Sequence, residues 1–165
     1  MTFADTLPMI ERRRIEATML KHVYETLKES HGTEAAKRVI ADAVRRSSIE
    51  QASQLAASEP GGKTSMRTFI DRQAQWRMGD ALITETLHES DTRFDFNVTR
   101  CRYAEMYREM GLGEIGPLLS CQRDGTFCEG YDLRLKMERT QTIMQGASHC
   151  DFRYHWVEAK AEGGD

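Results

Sequence analysis

The segment "RFDFNVT" (Arg93–Thr99) alternates without a fault. Phe94, Phe96 and Val98 fall on one face, Asp95 and Asn97 on the other. A period of two is the mark of a strand with one buried face. Everything N-terminal to its immediate neighbour reads with a helical period, so the chain changes class here. On its N-terminal side "ALITETLHE" (Ala81–Glu89) is also strand-like. "ESDT" between them is a turn, and the two form a hairpin.

C-terminal to the hairpin, "CRYAEMYREMG" (Cys101–Gly111) returns to helix, with Tyr103, Met106, Tyr107 and Met110 grouped and Gly111 as terminator. Pro117 opens another short helix in "PLLSCQRDGTFCEG". Two further strands follow. "LRLKMER" puts Leu133, Leu135 and Met137 on one face. "CDFRYHW" puts Cys150, Phe152, Tyr154 and Trp156 on one face and Asp151, Arg153 and His155 on the other.

Before the hairpin, Ile15, Met19, Val23 and Leu27 recur every four residues, with Leu20 and Tyr24 beside them, and predict a first helix. "SHG" stops it, with Gly32 suited to a left-handed conformation and Thr33 to capping the next helix. That second helix carries Ala36, Val39, Ile40, Ala43 and Val44 and continues to Leu55. "SEPGGKTS" (Ser58–Ser65) is a break. A shorter helix then places Met66, Phe69, Ile70 and Trp76 on one side and ends near Gly79. The pattern predicts an α+β domain: N-terminal helices packed on an antiparallel sheet of about four strands, with two helices inserted between the strand pairs. It is read as one domain over 1–165, with a helical part at 9–58, a mixed part carrying the site at 64–157 and a tail at 158–165.

A length of 165 residues suits one sizeable core. The formal charge of −3 gives no electrostatic reason to expect a nucleic acid or an anionic membrane as partner. The basic clusters "ERRR" (Glu11–Arg14) and "VRRSS" (Val44–Ser48) lie in helical patterns beside acids and read as solvated helix faces. No apolar run approaches the ~20 residues that span a bilayer. The start "MTFADTLPMIERRR" lacks the basic-then-apolar order of a secretion signal. A cytoplasmic protein with reduced thiols is the expectation. None of Cys101, Cys121, Cys128 and Cys150 forms a CxxC pair. GxGxxG, P-loop, HExxH and GxSxG motifs are absent too.

Three segments hold polar residues that core and surface do not explain. Cys101 stands at a strand-to-helix junction, where free amides and the helix dipole favour a thiolate; the plain alternative is a small apolar plug. Cys121 has Arg123 and Asp124 close by, and Asp124 shares its helix face three residues on. That is a nucleophile with its base and an electrostatic partner, or else a buried face with Leu118 and Leu119. Cys128, beside Phe127, reads as filler. Cys150 faces the core with the aromatics, while His149 and Asp151 face the other way. A regular strand therefore separates it from both, and its partners must come from elsewhere, such as the Cys121 segment. Arg139 continues the alternation Leu133, Leu135, Met137, and an arginine on a core face needs an anion: Asp124, Asp151 or a substrate carboxylate.

At these segments the chain resembles the L-2-amino-thiazoline-4-carboxylic acid hydrolase family, which has many bacterial members. The resembling stretches are "FDFNVTRCRYAEMYREMGLGEIGPLLSCQRD" (Phe94–Asp124), "EGYDLRLKMERTQTIMQGASHCDFRYH" (Glu129–His155) and, more loosely, "RRRIEATMLKHVYETLKESHG". "TRC", "LLSCxRD", "RTQTIMxG" and "HCDFRY" are specific as a set, and Cys101, Cys121 and Cys150 fall on family cysteines. The resemblance implies a hydrolase acting on C–N bonds of a small cyclic amidine or amide, such as a 2-amino-thiazoline bearing a carboxylate. Water adds at the ring carbon between nitrogen and sulfur. In that chemistry Cys121, Cys150 or Cys101 supplies a nucleophile, and His149, Asp124 or Asp151 moves protons. Arg139 or Arg123, with Thr140, holds the substrate. No cofactor is expected; the alternative is a zinc-type ion held by Cys101, Cys121 and Cys150 with His149. The competing function is a non-catalytic small-molecule or metal- or redox-sensing domain. The expected partner is a small carboxylate, with homo-oligomerisation through the N-terminal helices.

Overall fold

A computed structural model describes residues 6–158. The tail expected at 158–165 lies, apart from Glu158, outside the described residues. Two long helices come first: α1 (Met9–His31) and α2 (Thr33–Ala57). A shorter α3 (Met66–Arg77) precedes the hairpin β1 (Leu82–Glu89) and β2 (Arg93–Cys101). Then come α4 (Arg102–Glu109), a π-helical turn (Pro117–Cys121) running into α5 (Gln122–Tyr131), β3 (Leu135–Glu138) and β4 (Cys150–Trp156). The sheet is wholly antiparallel in the order β1-β2-β4-β3, so the last strand lies between the second and third. This is the α+β arrangement the patterns predict, with helices packed on a four-stranded sheet. Among the described residues, no helix is long and apolar enough to cross a membrane.

Register follows alternation. Phe94 pairs with Tyr154, Phe96 with Phe152 and Val98 with Cys150. All six side chains are buried on the inner face. Phe96 stacks on Phe152 at 4.9 Å between ring centroids, an arrangement that adds to the area both rings bury. Between Phe94 and Phe96, Asp95 is also buried, on the outer face, where Arg93 pairs with it.

Two expectations about the helices need correction. The buried face of α1 is Ile10, Arg13, Ala17 and Tyr24, with Leu20 and Leu27 packed beside it. Ile15 and Met19 are 63% and 67% exposed, and Val23 is exposed too, so the four-residue repeat that predicts the helix is not the one that buries. The two stripes compete in sequence, and the true one is disguised because an arginine occupies one of its positions. Thr33 is the first residue of α2 rather than its cap; Gly32, at φ 84°, links the two helices.

In α2 the buried residues are Ala36, Ile40, Val44, Ser48 and Ala52, spaced by four throughout, while Val39 is exposed. This stripe of mostly small side chains lets α5 approach closely. A Cβ on Gly130 would sit 2.3 Å from the Ile49 carbonyl oxygen and 2.9 Å from Ala52 Cβ. Ser48 Oγ donates to the Arg123 carbonyl and Ser53 Oγ to that of Gly130, both at 3.1 Å. The α2–α5 contact thus fixes the height at which α5 presents Arg123 and Asp124 to the sheet. Leu133, expected in the third strand, is 71% exposed and precedes it, because Arg134 is spent on Asp132 in the turn.

Candidate functional site

Where the inner face of the sheet meets α1, α3 and α5, the packing leaves a cavity in two joined chambers. The first has a volume of about 60 Å³ and the second of about 50 Å³, so a ligand larger than a few atoms must move side chains to enter either. Arg13, Trp76, Leu82, Arg123, Asp124 and Phe152 border both. The first chamber is completed by Cys101, Tyr103, Ser120, Cys121, Arg139 and Cys150. The second is closed mainly by rings: Phe69, Phe96, Phe127 and Tyr154, with Gln51 and Gln73.

The first chamber gathers the three cysteine segments. Cys101 ends β2 and caps α4, its sulfur accepting from the Ala104 amide at 3.4 Å. Cys121 ends the π-helical turn. Such a turn widens the backbone by one residue and re-aims the side chains that follow. Cys150 opens β4, and its sulfur accepts the Ile143 amide at 3.2 Å. Burial pushes the Cys101 thiol up to about 11 and the Cys121 thiol up to about 12, the latter reinforced by the Asp124 charge. The dipole argument that predicts a thiolate at Cys101 therefore loses to desolvation. Burial raises Cys150 as well, opposed by the Ile143 amide and the Arg139 charge.

Asp124 and Arg139 form a pair at 2.6 Å. Arg139 also donates to the Cys121 carbonyl at 3.1 Å, and its guanidinium stands 5.0 Å from the centroid of the Phe152 ring. The anion that the sequence demands for Arg139 is therefore Asp124. Loss of solvent pushes the Asp124 carboxyl up, against the pull of Arg139. Its side chain keeps 32% of its surface accessible, and that surface belongs to the cavity. A carboxyl raised by burial on a cavity wall is a candidate for proton transfer.

A second cationic group lies opposite. Arg123 is 8% exposed; its Nε donates to the Leu119 carbonyl at 3.0 Å and its Nη2 to Glu16 at 3.2 Å. Its Nη1 is buried and has no partner. Burial, helped by the neighbouring Arg13 charge, lowers this guanidinium to about 10. Arg13 is 4% exposed and donates to both oxygens of Glu16 at 2.9 and 3.0 Å and to Gln51 at 2.9 Å. The solvated face expected for "ERRR" thus holds at Arg14, partnered by Glu11, but not at Arg13.

The sequence candidates separate cleanly. Cys101, Cys121, Cys150, Asp124, Arg123 and Arg139 border one chamber. His149, Asp151 and Thr140 are not among its walls. Asp151 accepts from the Thr140 and Gln141 amides at 2.9 and 3.0 Å and from the Thr140 hydroxyl, and so ties the loop after β3 to β4. Burial would raise this carboxyl, but those donors lower it. His149 faces Gln141 and Ser148. Among the described residues, no group of three or more His, Cys, Asp or Glu side chains is placed to hold a metal ion, so the zinc set of Cys101, Cys121, Cys150 and His149 is not assembled. Sequence reasoning missed Arg13, Trp76 and Tyr154 as cavity residues. The one available signal for Arg13 is its spacing of three from Ile10 and four from Ala17.

A family model for L-2-amino-thiazoline-4-carboxylic acid hydrolases matches residues 12–154. No curated protein sequence matches the chain. Among solved structures, the phenol-responsive sensory domain of the transcription activator PoxR, with phenol, aligns at TM-score 0.52 and 12% identity, covering 84% of this chain and 73% of that one. A trafficking protein particle complex subunit 3 from Naegleria fowleri, covalently bound to palmitic acid, aligns at TM-score 0.49 and 12% identity, covering 92% and 98%. At such identities the likeness to the sensory domain speaks for the fold alone.

Proposed function

The chain belongs to the L-2-amino-thiazoline-4-carboxylic acid hydrolase family, and from that premise we propose that it hydrolyses a small cyclic amidine bearing a carboxylate, with a cysteine as nucleophile. The observation that carries this reading is the convergence of Cys101, Cys121 and Cys150 on one cavity with Asp124 and Arg139.

Cys150 is the proposed nucleophile. Its sulfur already receives an amide N–H, and the Arg139 charge favours its ionised form. Asp124 takes the thiol proton; one of its oxygens is held by Arg139, which leaves the other to accept. The sulfur bonds to the amidine carbon, and the C=N electron pair moves onto nitrogen, which takes up a proton. Collapse breaks the ring C–N bond, and the leaving nitrogen takes the proton that Asp124 holds; water then adds to the carbon bound to the enzyme sulfur, the Cys150 thiolate leaves and is reprotonated, and the carbamoyl product is released. Cys121, on the opposite wall, is the second candidate for the same role. Arg139 or Arg123, both on the cavity wall, receives the substrate carboxylate.

The test is ring opening of 2-amino-thiazoline-4-carboxylate by wild type, Cys150→Ala, Cys121→Ala and Asp124→Asn. The mechanism expects Cys150→Ala to lose at least about three orders of magnitude, the scale of removing a covalent nucleophile. Full activity in both cysteine variants refutes it. A non-catalytic binding domain is the competing reading. The observation in its favour is that burial raises all three cavity thiols, which disfavours the thiolate. Tight binding of the amidine without turnover by wild type decides for it.

A further inference from the structure

A cleft that the catalytic reading does not use lies between the start of α1, the end of α2 and the middle of α3. Its volume is about 510 Å³, within the range of small-molecule sites and far above that of either buried chamber. Gln51, which accepts from Arg13 at 2.9 Å, is the one wall residue it shares with the second chamber, and it shares none with the first. The cleft is therefore a separate space, open without any rearrangement of the thiol cavity.

Its walls are of three kinds. Both charged residues on them are arginines, Arg12 and Arg72, and no carboxylate is among the described wall residues. Arg72 gives its Nε to Glu59 at 2.7 Å and its Nη2 to Ser58 at 3.1 Å. Glu59 is buried and stands behind the wall rather than on it. The two bonds fix the guanidinium, Nη1 takes part in neither, and the side chain keeps 23% of its surface accessible. A guanidinium held on one edge and open on another is preorganised to receive an anion. Beside it stand Gln54 on α2 and Gln75 on α3, whose side chains bond nothing among the described residues. A carboxamide offers two donors and an acceptor, so a pair of them is matched by another amide. Met9, Leu55 and Met78 form the apolar wall, and Met78 is exposed.

We propose that this cleft binds a small carboxylate that also carries an amide and a short apolar side chain, the chemistry of an N-acyl amino acid. The carboxylate meets Arg72, the amide meets Gln54 and Gln75, and the apolar side chain covers Leu55 and Met78. The site does not rest on the hydrolase reading, since none of Cys101, Cys121 and Cys150 borders the cleft.

The experiment is calorimetric titration of the intact protein at neutral pH with three probes: N-acetyl-leucine, N-acetyl-leucinamide and 4-methylpentanoate. N-acetyl-leucine is expected to bind at least about tenfold more tightly than either of the others, which lack its charge and its amide respectively. Gln54→Glu keeps a good helix former at an exposed position and puts a like charge into the cleft. It should weaken N-acetyl-leucine by at least about tenfold and leave N-acetyl-leucinamide within about twofold. Equal wild-type affinity for the acid and its amide overturns the anion contact. Equal affinity for N-acetyl-leucine and 4-methylpentanoate overturns the amide contact. Failure of N-acetyl-leucine to bind, or binding that Gln54→Glu leaves unchanged, overturns the site. The wild-type comparisons stand even where the variant does not fold. Because no turnover is read, failure of ring opening defeats only the hydrolase reading, and failure of these titrations defeats only this one.

Discussion

Gly130→Ala is a substitution for which helix propensity and packing predict opposite signs. On propensity alone, alanine in the last turn of α5 stabilises by at most about 1 kcal/mol. Packing argues the reverse. The added Cβ would lie 2.3 Å from the Ile49 carbonyl oxygen and 2.9 Å from both Ile49 Cα and Ala52 Cβ. Carbon atoms pack at about 3.5–4.0 Å, so an overlap of roughly 1 Å must be relieved. Two of the three opposing atoms are backbone, and no side chain can swing aside. Relief therefore requires α5 to move off α2, stretching the Ser48 and Ser53 hydrogen bonds that hold it. Overpacking of this kind costs about 1–3 kcal/mol. For a protein of this size that lowers the melting temperature by about 3–10 °C.

The same shift displaces Arg123 and Asp124, and a misplacement of about 1 Å can cost ~100-fold in rate. Gly116→Ala is the control. The nearest atom there is Met144 Sδ at 2.6 Å, on a flexible side chain that can rotate away. The assay is thermal melting by circular dichroism, paired with ring-opening rates. A Gly130→Ala protein that melts at or above the wild-type temperature refutes the claim that the α2–α5 approach sets the site.

Other predictions concern the buried charges and thiols. Arg139→Met strands Asp124 and should cost about 3 kcal/mol, the low end for a broken buried pair because part of the carboxylate remains accessible. Adding Asp124→Leu should recover most of that loss, and strictly additive losses in denaturant midpoints would contradict the pairing. Cys101 is raised to about 11, and Cys121 and Cys128 to about 12, from an ordinary value of 9.0. The unfolded chain then releases these protons first, so stability is full below pH 9 and falls as pH rises through 9 to 12. Urea midpoints between pH 8 and 10.5 should decline, with a shallower decline in Cys128→Ala; a flat profile tells against buried thiols. Cys128→Ala should keep ring-opening activity within about twofold, since its sulfur bonds only the Asp124 carbonyl of its own helix; a large loss would move it into the site.

How much was legible in the chain depends on whether neighbours in sequence or neighbours in space decide the matter. Alternation at Arg93–Thr99 and Cys150–Trp156 is a local property, because a pleated backbone turns successive side chains to opposite faces whatever surrounds it. The α+β class, the hairpin, the inward turn of Cys150 and its separation from His149 and Asp151 all follow from it. The identity of the Arg139 anion did not. Asp124 and Asp151 are both acids near that strand, and only the seating of α5 on α2 brings Asp124 to 2.6 Å. Arg13 was illegible for a related reason. Periodicity identifies a buried stripe by its apolar residues, and a stripe that buries a charge looks broken, so the exposed row Ile15, Met19, Val23 is the more regular of the two. The sequence determined which residues share a face; the tertiary structure decided which faces meet. A buried guanidinium left with one free N–H comes from packing between helices far apart in the chain, and no window of sequence contains it.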